Sequence, residues 1–325
     1  MASVASGLPR ATRHALGRPD QSNRNAANSC NVDAALSVWE AAVAHTRLLF
    51  GVEAALPGRA KVSTCPLGAA MVSWYAAREE VAVGTIPIVS AARALNRARD
   101  VVRQELLISF SETSVSGMMM MGAADENVAQ MLAARDRLGD GAPETLAVQT
   151  GKTCECNTAR VALRRRGISI SYDRVALHGF DLMRTFDEIF LQDGPLVECR
   201  DCGAPSSTTP LFVASQRAAW REGGASRFPW LLFLMLNSNI PGCAPVRIRA
   251  DEAHDVCVDG VSVVYRVLAV IFHRGAHFWT TLSRGDCWIL YDGLVDRGVG
   301  VAATAPTGDP SVDHGFVAGV LYGRL

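Results

Sequence analysis

A thiol at the start of a helix and an imidazole braced by a carboxylate together suffice to cleave an acyl bond. The sequence holds nine cysteines, and Cys30 is the only one in such a helix-start setting. Asn28 and Ser29 precede an apolar helical pattern of Val32, Leu36, Trp39 and Val43. Polar residues there supply acceptors for the free N–H groups of a first turn, so Cys30 is expected at or near that turn. The positive end of the helix dipole favours a thiolate at this position. Seven histidines can be considered as its proton acceptor: His14, His45, His178, His254, His273, His277 and His314. His277 lies in HRGAHFWTTL, a turn leading into a strand, and Asp292 closes the next strand in CWILYDG. Two strands joined by a hairpin bring such residues side by side. Taken singly, a cysteine at a helix start or a histidine in a β-turn is more often structural. Only the combination points to nucleophilic catalysis.

Four further cysteines form two close pairs, TCEC at Cys154 and Cys156 and ECRDC at Cys199 and Cys202. Two thiolate pairs on separate loops can close a tetrahedral four-sulfur zinc site, although the CxC spacing of the first pair is tighter than usual. The alternative is four ordinary reduced cysteines. With four protein ligands no coordination position stays open, so the metal would be structural. The odd cysteine count, the length and an N-terminus without an apolar signal block argue against a disulfide framework and for a reducing compartment.

The elements that must position these groups follow from composition and pattern. The chain has 325 residues, 49% hydrophobic and 20% charged, which describes a globular protein with a substantial core. Net charge is +0, without the basic excess of a nucleic-acid binder, and no apolar run reaches membrane-spanning length. Lys61 and Lys152 are the only lysines, which fits a GC-rich coding sequence or, less simply, avoidance of ubiquitination. Residues 1–22 read as a flexible tail. Residues 67–150 read as mainly helical, with 139–152 turn-rich. Strands are expected at Gly167–Tyr172, Phe228–Leu236, Val261–Phe272, Phe278–Leu282, Cys287–Tyr291 and Gly315–Tyr322. Helices first and strands later predict an α+β fold.

The segments taken in order resemble the ubiquitin-specific protease (USP) family of papain-like cysteine proteases. That family's cysteine box, N-x-G-x-T-C, corresponds to Asn25-Ala26-Ala27-Asn28-Ser29-Cys30, and its histidine box to VLAVIFHRGAHFW. Its W-x-x-(F/Y)-D corresponds to Trp288–Asp292, and its closing strand to Phe316–Tyr322. The cysteine pairs fall where the family often carries a zinc-bearing fingers sheet. The resemblance spans residues 22–325. It implies a helical thumb (about 23–150), a fingers region (about 151–245) and a β-sheet palm (about 246–325).

What the resemblance implies for function is hydrolysis after the C-terminal glycine of ubiquitin, with Cys30 as nucleophile, His277 as base and Asp292 orienting it. Asn25 and the Cys30 backbone N–H would hold the oxyanion, and Cys154, Cys156, Cys199 and Cys202 would bind structural zinc. The expected partner is ubiquitin or a ubiquitin-like protein with its conjugates, met by a monomer in the cytoplasm or nucleus. The alternatives are a protease for another ubiquitin-like modifier and an inactive ubiquitin-binding scaffold. A decoy, however, has no physical need to keep Cys30, Asn25, His277 and Asp292. Departures from the pattern at Ala27, Asp33, Ser37, Ala276, Phe278 and Gly293 mark a divergent member.

Overall fold

A computed structural model of the chain describes residues 30–50, 65–83, 88–113, 124–138, 147–154, 157–185, 196–198, 205–207, 228–237, 245–258, 260–275, 277–292 and 301–325. The tail expected at 1–22, Asn25, Cys156, Cys199 and Cys202 lie outside them. Among the described residues the helices α1 (Cys30–Phe50), α2 (Pro66–Val83), α3 (Ile88–Thr113) and α4 (Ala124–Leu138) come first. Strands β1 (Ala147–Cys154), β2 (Asn157–Arg166) and β3 (Ile168–Ser171) lead to a short helix, α5 (Tyr172–Leu177). Then come β4 (Leu196–Glu198), β5 (Pro205–Ser207), β6 (Leu231–Asn237), β7 (His254–Val258), β8 (Val261–Arg274), β9 (His277–Arg284), β10 (Cys287–Tyr291), β11 (Val301–Ala303) and β12 (Phe316–Arg324). Among the described residues no helix is long and apolar enough to cross a membrane.

The main sheet runs β11-β10-β9-β8-β12-β6-β3, with β7 added beside the start of β8. All pairings are antiparallel except β3 with β6. Its strands are apolar almost without interruption because both faces are covered. Along β6, Leu231, Phe233 and Met235 point into the core beneath α1, while Leu232, Leu234 and Leu236 point into a second core on the opposite face. The second core is aromatic, with Tyr265, Phe272, Trp279, Trp288 and Tyr322.

Helix α1 is the buried axle of the molecule. Residues 31–43 are buried without a break, because α1 packs on β8 and β9 on one side and against α4 on the other. It is not apolar all round. Asp33, Ser37 and Glu40 recur at i, i+4 and i+7, a single stripe, and all three are buried. Ser37 turns its hydroxyl back onto the Asp33 carbonyl at 2.9 Å. Arginines from other elements meet the two carboxylates. Arg99 of α3 lies 3.7 Å from Asp33. Arg78 of α2, at 2.6 Å, and Arg284 of β9 both pair with Glu40. At the far end of α1, His45 Nε2–H donates to the Arg324 carbonyl of β12 at 3.0 Å. The helix is thus tied to the sheet at both ends.

A separate four-stranded sheet runs in the order β2-β1-β5-β4, and its β1 ends at Cys154. Its β1 begins at Ala147, inside the segment 139–152 that the sequence marks as turn-rich. Pairing with the ten-residue β2 supplies the backbone partners, and pairing outranks local preference in strands.

Candidate active site

Cys30 is the first residue of α1 and is partly exposed. The first turn of α1 is fastened to β9, where the Thr280 hydroxyl donates to the Ala34 carbonyl at 3.2 Å. The backbone N–H of Phe278 reaches the Cys30 sulfur, so the thiol lies beside the residue that follows His277. Burial pushes the thiol up from its ordinary range, and the Phe278 N–H opposes that rise. The Asp33 carboxylate adds to it, while the N–H groups of Asn31 and Cys30 again oppose it. The resting sulfur is therefore held as a thiol, and attack requires a base to remove its proton.

The candidate base, His277, opens β9. The pairing of Arg274 with His277 leaves two residues to turn from β8 into β9. Gly275 takes φ 62°, the left-handed conformation such tight hairpins demand. Asp292 comes one step beyond the Tyr291–Thr280 pair, on the strand adjacent to His277. Their side chains meet, with His277 Nε2 2.7 Å from Asp292 Oδ1. A carboxylate only accepts, so Nε2 carries the proton and Nδ1 is left with its lone pair to receive another. Both side chains are largely buried, at 22% and 14% exposure, which protects the bond from competing water.

The sequence reading does not contain Trp279. Its indole stacks on His277 at 5.6 Å and 25°, and on Phe272 at 6.0 Å and 19°. The imidazole thus has a flat wall behind it as well as a carboxylate at its edge. Gly315 makes room for that wall, since a Cβ there would sit 2.2 Å from the indole ring. Alternation was the available signal, because Trp279 lies two residues past His277 on the same strand face.

Asn25 lies outside the described residues, as do Cys156, Cys199 and Cys202, while Cys154 ends β1. Among the described residues no group of three or more potential ligands could hold a metal. A polar hollow of about 590 Å³ lies elsewhere, lined by residues including Asp181, Arg184, Arg249 and His254. His254 pairs with Tyr265, nine residues before Arg274 on β8, so this hollow is roughly 30 Å from the histidine.

The chain is similar in fold to a solved structure of the SAGA DUB module, Ubp8/Sgf11/Sus1/Sgf73 bound to monoubiquitin. That match has 9% identity and a TM-score of 0.53, and it covers 97% of this chain and 70% of that one. The MERS coronavirus papain-like protease also matches, at 10% identity and a TM-score of 0.37, over 92% of this chain and 63% of that one. No protein-family model matches the sequence, and the comparison with curated proteins gave no match. The fold is α+β of the ubiquitin-specific protease type.

Proposed function

We propose that this chain is a thiol protease that removes ubiquitin, cleaving isopeptide or peptide bonds after its C-terminal glycine. The observation that carries the reading is the His277 Nε2–Asp292 Oδ1 bond, which leaves Nδ1 as acceptor one residue before Phe278, whose N–H reaches the partly exposed Cys30 at the start of α1. The similarity of fold to a structure bound to monoubiquitin supports ubiquitin as the partner.

In this mechanism Nδ1 of His277 takes the Cys30 proton as the sulfur attacks the scissile carbonyl carbon. The carbonyl π electrons move onto oxygen, and the Cys30 N–H and the Asn25 side chain stabilise that oxyanion. On collapse the C–N bond breaks, and the amine departs with the proton held by His277. A thioester to Cys30 remains. Water, deprotonated by His277, then hydrolyses it to the ubiquitin carboxylate and the free thiol. Asp292 holds the ring in place and stabilises its protonated form throughout. The need for a reduced thiol matches a monomer working in the cytoplasm or nucleus.

Structural zinc belongs to the same proposal. The strand registers suit it. Cys154 pairs with Asn157 at the β1–β2 turn, which contains Cys156. Glu198 pairs with Pro205 across the β4–β5 connection, which contains Cys199 and Cys202. Thr153 pairs antiparallel with Ser207, so both turns face the same end of the sheet. Four sulfurs there would close a tetrahedral site and hold the strand ends together.

The test is incubation with a ubiquitin probe bearing a C-terminal electrophile, alongside probes made from other ubiquitin-like proteins. A ubiquitin-sized mass increase that disappears in Cys30→Ala is the expected result. Labelling by another modifier alone would move the substrate assignment. No labelling of folded protein by any probe would overturn the protease reading.

A further inference from the structure

A carboxylate one helical turn from a nucleophilic thiol is an obstacle to ionising that thiol, and this protein has one. Asp33 follows Cys30 by three residues on α1, which places the two side chains roughly 5–6 Å apart at Cβ. Asp33 is 6% exposed, so water does little to screen it. Like charges at that distance in a partly buried site oppose each other strongly. Arg99 reaches across from α3, with Nη1 3.7 Å from the Asp33 carboxylate. Arg99 is itself 3% exposed and sits in the middle of α3. Its Nη2 also lies 3.4 Å from Asp100, whose carboxylate is mostly in solvent at 59% exposure.

We propose that Arg99 is a positioning residue for Cys30: it holds and neutralises the Asp33 carboxylate, so that negative charge can develop on the sulfur. Among the described residues, these charged and titratable groups stand on the elements around the thiol. His277 approaches on β9, braced by Asp292 at the end of β10. Asp33 lies on the thiol's own helix, and Arg99 with Asp100 comes from α3. His277 takes the proton, and Arg99 removes the penalty for giving it up. The inference takes Cys30 as the nucleophile but does not depend on ubiquitin as the substrate.

The test is the pH profile of Cys30 alkylation by iodoacetamide, read by mass spectrometry of the Cys30 peptide because Cys257 is also exposed. Four proteins are compared: wild type, Asp33→Asn, Arg99→Met and the double variant. Asp33→Asn leaves Arg99 uncompensated, so Cys30 should alkylate faster at neutral pH, by about tenfold. The double variant should return near the wild-type profile. Arg99→Met should be slower than wild type wherever Asp33 is ionised. Arg99→Met leaves a buried carboxylate unpaired and is the variant least able to fold. Asp33→Asn leaves a buried guanidinium unpaired and the double variant leaves neither charge, so melting temperatures confirm that both are folded before their profiles are compared. If those two profiles superimpose, Arg99 does not act on the sulfur and the proposal falls. A purely structural role for Arg99 would change melting temperature without moving these profiles. Ubiquitin-probe labelling in parallel separates the two ideas, since an unreactive probe with the predicted alkylation order would remove the substrate and keep Arg99.

Discussion

Two regions of this molecule offer chemistry, and they are built in opposite ways. The His277–Asp292 pair sits at the ends of β9 and β10 in a broad sheet with cores on both faces. Cys154 ends a strand of a small sheet in which β4 and β5 are three residues long. In that sheet β1 and β5 share the single Thr153–Ser207 pair. In the first region ordinary packing and hydrogen bonds fix the geometry, and nothing foreign is required. In the second, strands that short have too little pairing to hold together without additional support. The proposed zinc would be a cross-link between the ends of these short strands.

The comparison can be broken most decisively at the dyad. Asp292→Ala should lower kcat/KM on a ubiquitin substrate by about 10²-fold or more, with little change in melting temperature. Asp292→Asn should keep much more activity, because its amide oxygen can accept the same bond from Nε2–H. Equal losses in both would mean that charge, rather than orientation, is what Asp292 supplies.

The next effect falls on the fabric of the first region. Glu40→Ala strands Arg78 and Arg284 around a buried gap. Urea unfolding should show a loss of about 3 kcal/mol. An unchanged midpoint would mean that α1 is held by apolar packing alone.

Chelation sharpens the contrast from the other side. Removing zinc should raise KM for ubiquitin substrates about tenfold while alkylation of Cys30 stays within about twofold of the untreated protein. Loss of both together would show that the small sheet supports the dyad.

Acid gives the smallest effect and acts on the main sheet. Burial holds His254 of β7 and His273 of β8 below the ordinary imidazole range. The unfolded chain therefore binds protons that the folded one refuses as pH drops below about 6.5. Stability is full above that value and is lost as pH falls toward the folded values. Urea midpoints between pH 7 and 5 should decline, and His254→Gln should flatten the decline. An identical slope in the variant would show that His254 carries none of it.

How far the sequence announces this structure depends on where the information resides. Cys30 at a helix start and Cys287–Tyr291 as a strand are legible because capping residues and apolar runs are local signals. The meeting of His277 and Asp292 is legible because hairpin geometry is nearly local too. β2, with its RVALRRR, and β7, with HDVCV, carry no clear alternation and become strands through their partners. The ion pair of Asp33 with Arg99 joins helices far apart in the chain, and no periodicity encodes it. Gly315 is equally silent, since its meaning is the indole that lies against it.

The position of β12 also has a consequence in time. Residues 316–324 lie between β8 and β6, joining β7–β11 to β6 and β3. A ribosome delivers the flanking strands first, and each waits with one edge unpaired. The sheet can close only after the 316–324 stretch has cleared the exit tunnel. Folding is therefore weighted toward long-range contacts and late completion, which makes it slow and exposes apolar edges during synthesis. Until β12 arrives, β8 and β6 each present an unpaired apolar edge, the kind of surface that invites wrong pairing.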